Sequence, residues 1–91
     1  MSFKVTLRDL ADHGLSCGGT PRFYMSLEQA IHGAKLLAYD KLESFGKLDT
    51  IAAHETMRMI NDSSDIIREG VMTRRDVLIS NTGYKLTIEK A

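Results

Sequence analysis

Two stretches of this chain repeat their apolar residues at helical steps, and its two ends alternate them at strand steps. In MSLEQAIHGAKLLAYDKLESFGK, Leu27, Ala30, Ile31, Ala34, Leu37, Ala38, Leu42 and Phe45 recur every three or four positions. That spacing gathers them on one stripe of an α-helix. Ser26 stands at the N-cap, and Gln29 three residues later completes a capping box. Gly46 supplies the left-handed residue that stops the helix. Gly33 lies inside it and costs about 1 kcal/mol against alanine, which points to a close helix contact there.

KLDTIAAHETMRMINDSSDIIREG follows after a very short link. Asp49 or Thr50 can cap this second helix, Ala52, Met59, Ile60, Ile66 and Ile67 keep a period near seven, and Gly70 is the stop. Its middle, NDSSD, is poor helix material, because short polar side chains compete for backbone groups. The pattern predicts a continuous helix with a weak spot there; the alternative is a break recapped by Ser64. So short a link makes the two helices an antiparallel αα-hairpin.

At the C-terminus, Val77 and Ile79 alternate before NTG, and Tyr84, Leu86 and Ile88 alternate after it. This predicts a β-hairpin whose three-residue loop, with Gly83 left-handed, is a type I turn plus a G1 bulge. At the N-terminus, Phe3, Val5 and Leu7 alternate as a half-buried strand would. TLRDLADHG also reads as a short helix, with Thr6 as cap and Gly14 as stop. The reading that reconciles both is a short strand handing over to a helical turn near Thr6. LSCGGTPR is a loop by composition, and RFYM a brief extended piece before the Ser26 cap.

A lone hairpin is marginal in water and needs a third strand or a helix beneath it. Phe3–Val5 supplies the strand and the helices the apolar layer. The expected fold class is therefore α+β: two long antiparallel helices packed on a small antiparallel sheet that ends in a C-terminal hairpin. With no repeat, linker or low-complexity tract, residues 1–91 form a single domain. Ninety-one residues bury roughly 60–65% of the unfolded surface, enough for one core. A hydrophobic content of 43% excludes wholesale disorder. A single cysteine, Cys17, excludes an internal disulfide, and there is neither a signal-peptide pattern nor a run of membrane-spanning length. The expectation is a soluble, cytoplasmic protein that does not engage a membrane.

Candidate chemistry is sparse. Cys17 in LSCGGTPR has a glycine nest and Arg22 nearby, as a thiol-based phosphatase loop would. Such loops separate Cys and Arg by five residues; here four intervene. A small residue tucked under a loop is the favoured reading. His13, His32 and His54 lie in three different segments, and HETMR lacks the second histidine of a zinc-protease helix. Asp40 and Glu43 read as a solvated face beside Lys41. No enzyme, metal site or cofactor is expected.

Charge and methionine placement then decide between binding functions. Twelve Lys plus Arg balance twelve Asp plus Glu. That weakens the case for nucleic acid, whose binders draw most of their affinity from phosphate contacts. The second helix is acidic and the tail after it basic. Met57, Met59 and Met72 offer an adaptable apolar surface, although core filling is the commoner role for each. The leading expectation is a small non-enzymatic interaction module, an accessory or inhibitory regulator. It binds a larger protein or self-associates through the second helix or the hairpin edge, with Met57, Met59, Arg74, Arg75 and Lys85 as partner-binding residues. The alternative is a nucleic-acid binder. Two helices and a hairpin resemble the end of the winged-helix order, and the basic tail would touch phosphates; the acidic second helix argues against it.

Overall fold

A computed structural model describes residues 2–10, 21–46, 51–79 and 82–91. The elements run β1 (Phe3–Asp9), β2 (Arg22–Tyr24), α1 (Leu27–Ser44), α2 (Ile51–Arg68), β3 (Arg74–Ile79) and β4 (Tyr84–Lys90). The strands form one antiparallel sheet in the order β2-β1-β4-β3. The two ends of the chain thus meet at its centre, with Phe3 opposite Lys90 and Asp9 opposite Tyr84. The two helices pack on each other and on the sheet. α1 lies against β1, β4 and β2, and α2 mainly against β3.

The core forms where the apolar stripes face each other. Phe3, Val5, Val77, Ile79, Leu86 and Ile88 are buried on the inner face of the sheet. Above them lie Leu27, Ile31 and Leu42 of α1 and Ala53, Ile60 and Ile67 of α2. Ala30, Ala34 and Ala38 follow one another at four-residue steps and are fully buried, so α1 approaches its neighbours closely along that line. Burying a side chain such as Leu42 stabilises the fold by about 1.5–3 kcal/mol.

The start of α1 and the stops of both helices follow the predicted chemistry. The Gln29 backbone N–H donates to Ser26 Oγ at 3.2 Å, and Ser26 itself is extended. Gly46 and Gly70 take φ of 67° and 77° after α1 and α2, a conformation that glycine adopts without Cβ strain.

α2 is continuous through NDSSD. Its inward face is Ala53, Thr56, Ile60, Ser63, Ser64 and Ile67, which leaves Ala52 and Ile66 half-buried and Met59 exposed. The period predicted from the apolar residues alone was displaced because part of this face is polar. The hydroxyls are accommodated locally. Thr56 Oγ1 donates to the Ala52 carbonyl and Ser63 Oγ to the Met59 carbonyl, both at 2.8 Å.

Two expectations need correction. β1 continues as strand to Asp9, with no helical turn beginning at Thr6. Thr6, Leu7, Arg8 and Asp9 each find a partner on β4, and that ladder overrides the local capping signal. The remainder of the expected helix and the LSCGGT part of the loop, with His13 and Cys17, lie outside the described residues, as do Asp49 and Thr50. At Gly33 the close neighbour is Tyr24 of β2 and not another helix.

The hairpin forms, with Val77 opposite Leu86 and Ile79 opposite Tyr84, a register that leaves four residues between the paired ends and not the three of the expected NTG loop. Residues 80–83 join the strands, and Gly83 has φ 75°. Buried Thr82 ties the turn together: its N–H and Oγ1 both donate to the Ile79 carbonyl, at 3.2 and 2.7 Å, and Oγ1 accepts from Tyr84 N–H at 3.3 Å. Ser80 and Asn81, on which the turn type depends, lie outside the described residues.

Candidate functional site

The five residues singled out for partner binding do not converge. Met57 is partly buried against the core, while Met59, its neighbour on α2, is exposed. Arg74 and Lys85 stand on the outer face of the sheet, the side away from the helices. Both turn toward Asp76, with Arg74 Nε and Lys85 Nζ each 3.6 Å from its carboxylate. Arg75 shares the inner face with Val77, where its Nη1 lies 3.9 Å from Met72 Sδ. Its Nε is buried with no hydrogen-bond partner among the described residues.

Asp76 organises the outer face. Partial burial raises its pKa, but hydrogen-bond donation from Thr87 Oγ1 at 2.8 Å and the charges of Lys85 and Arg74 outweigh this. The carboxyl is therefore held below its ordinary value. Lys4 and Glu89 pair across β1 and β4 at 3.1 Å. Two of the four basic residues of the hairpin, Arg74 and Lys85, thus share one carboxylate of the same sheet.

A different surface carries unpartnered apolar residues. β2 is an edge strand, only three residues long, and α1 runs alongside it. Between them lies an open groove of about 460 Å³, lined by Arg22, Tyr24, Gln29, His32, Gly33 and Leu36 among others. At its floor Gly33 has no side chain, and the Tyr24 phenol fills the space beside it. Leu36, which lines it, is 56% exposed, and Tyr39 lies one turn further along α1; Phe23, opposite Lys4, stands on the outer face of β2 and is 65% exposed. Exposed apolar residues are ordinary singly; grouped at a sheet edge they mark a contact surface.

At the start of α1, Glu28 accepts a hydrogen bond from Arg68 Nη2 at 2.6 Å, which links the beginning of one helix to the end of the other. The backbone N–H of Glu28 itself and the Arg68 guanidinium both hold this carboxyl below its ordinary pKa. Glu28 is therefore held ionised at the border of the groove, paired with Arg68.

The sequence signal for this surface lay in α1. The core stripe needs Leu27, Ala30, Ile31, Ala34, Ala38 and Leu42, so Leu36 and Tyr39 are surplus apolar residues on another face of the helix. That excess was legible, but the strand that turns it into a groove was not.

Among the described residues no three of His, Cys, Asp and Glu lie together as a metal site would require. Among the described residues, too, no helix is long and apolar enough to cross a membrane. Comparison with family models, with curated proteins and with solved structures finds no match for this chain.

Proposed function

We propose that this protein is a small interaction module, without catalysis of its own, that docks protein through the β2 edge and the outer face of α1. The observation that carries this reading is the contrast between the two edges of the sheet. β3 presents the Arg74–Asp76 ion pair, which discourages a further strand from joining it, beside one exposed apolar residue, Leu78. β2 presents Phe23, with Met25 just beyond it and the α1 groove alongside. An extended segment laid against an edge strand gains main-chain hydrogen bonds, and a groove beside it reads its side chains.

An accessory or regulatory role accords with a chain of this size. The nucleic-acid alternative draws less support. The cations that would touch phosphate, Arg74 and Lys85, already face Asp76, and Arg75 is turned toward the helices.

Selection of a random-peptide phage library on immobilised protein tests the reading. The expected result is enrichment of peptides that bind the wild type and lose binding to Leu36→Asp. Failure to enrich any peptide sensitive to that substitution would overturn it.

A further inference from the structure

We propose that Met72 is a site of reversible oxidation, and that Arg75 holds the methionine sulfoxide formed there. The site lies at the link from α2 to β3, away from the groove beside β2, and does not depend on the docking reading.

Arg75 is a cation without a strong acceptor. It projects from β3 onto the inner face, where the residue is half-buried and its Nε is shielded from solvent. Among the described residues no carboxylate pairs with it. Its acceptor there is a thioether: Nη1 donates to Met72 Sδ at 3.9 Å. Sulfur of this kind accepts weakly, and a guanidinium drawn out of water gains little from it.

Met72 is open to chemistry. It is 47% exposed on the short link between α2 and β3, so a small oxidant in solution has access to the side chain. Met25 and Met59 are exposed as well, but among the described residues no donor lies at either sulfur. Exposure sets where oxygen is added, and the guanidinium sets where the addition changes a contact.

The step is an oxygen transfer from a peroxide. The sulfur lone pair attacks one oxygen of hydrogen peroxide, the O–O bond breaks, and the second oxygen leaves with both protons as water. Sulfur is oxidised to the sulfoxide and the peroxide is reduced. The new oxygen is a strong acceptor, and the 3.9 Å between nitrogen and sulfur leaves room for it to accept from Nη1 at an ordinary length. The unbranched side chain has three rotatable bonds with which to direct it.

Oxidation usually harms a protein by making an apolar contact polar. Here Met72 stands outside the core, and a charge-assisted hydrogen bond is gained. The oxidised protein therefore has its α2–β3 link more firmly tied to the sheet, until the sulfoxide is reduced.

Treatment of the full chain with hydrogen peroxide tests this, with peptide mass spectrometry to map the oxygen and circular dichroism to read the melting temperature. Wild type and Met72→Leu are treated side by side, so oxidation at any other residue is common to both. The expected result is one added oxygen at Met72 and a rise of about 4 °C that Met72→Leu does not share. Reduction by a methionine sulfoxide reductase should reverse the rise. Arg75→Leu should lose it although Met72 still takes up oxygen. Met72→Gln carries an oxygen on its δ atom, as the sulfoxide does, and should melt above Met72→Leu with no oxidant, provided Arg75 is present.

A melting temperature unchanged or lowered by oxygen at Met72 would overturn the proposal. So would the same rise in Arg75→Leu, or a Met72 that peroxide leaves intact while it oxidises Met25.

Discussion

The phenol of Tyr24 occupies the space that a Cβ on Gly33 would need. Gly33 lies in the interior of α1, where glycine is unfavourable by about 1 kcal/mol relative to alanine. The contact with β2 gives that choice a reason, because any larger residue would push the edge strand away from the helix. The groove and the exposed face around it depend on this one close approach.

Gly33→Ala should therefore destabilise the protein even though it improves helix propensity, because overpacking costs about 1–3 kcal/mol. Removing the ring should reverse the sign. In the Tyr24→Ala background, Gly33→Ala should be neutral or stabilising. Urea denaturation of the four proteins in this cycle gives the coupling, and additive effects would mean that the two residues do not touch in solution.

Asp76 links stability to pH. Its folded pKa is depressed, so the stabilisation it contributes is fully present above the ordinary aspartate value of about 3.9. The stabilisation is lost as pH falls through the lower, folded pKa. The side chain is partly exposed, so solvent screening limits the effect to about 1 kcal/mol or less. Asp76→Asn should lower the melting temperature slightly at neutral pH and converge with the wild type in strong acid. An NMR titration of the Asp76 carboxyl should give a midpoint below the ordinary value.

Neighbouring residues on α2 should differ sharply. Ile60 is fully buried, and Ile60→Ala should cost about 2–5 kcal/mol, lowering the melting temperature by about 8 °C or more. Met59→Ala should change stability by no more than about 0.5 kcal/mol. Met57 packs partly against the core, so its substitution should fall between the two. Calorimetry on the three variants measures all of this.

The basic hairpin should not behave as a phosphate-binding wing. A titration with labelled random duplex DNA at low and moderate salt should detect no tight, salt-sensitive binding, and Arg74→Ala with Arg75→Ala should change nothing. Binding that falls steeply with salt, with a slope reduced in the double variant, would identify the hairpin as a nucleic-acid surface instead.

Local chemistry sufficed for much of the fold. The Ser26 cap, the stops at Gly46 and Gly70, the alternation around Gly83 and the α1 stripe each depend on a few adjacent residues, and each stands where the pattern puts it. Where a segment had two locally acceptable conformations, as at Thr6–Asp9, the local signals were evenly matched and could not choose. Pairing with β4, nearly eighty residues away in sequence, made the choice. The inward face of α2 was read with error for a related reason. Burial of Thr56 and Ser63 is allowed by hydrogen bonds to their own helix, which hydrophobic periodicity does not register.

The candidate site lay still further from the one-dimensional pattern. Methionine content and a basic tail drew attention to α2 and the hairpin, yet Met57 packs partly against the core and Arg74 and Lys85 face Asp76. The sequence by itself determined the two helices, their glycine stops, the C-terminal strands and the α+β class, because these follow from side-chain period and backbone conformation over a few residues. Only the tertiary structure decided the order of the strands, that Tyr24 would come to rest on Gly33, and that Leu36 would border a groove. Those are relations between segments, fixed by how the strands are ordered in the sheet and by which helix covers which side of it.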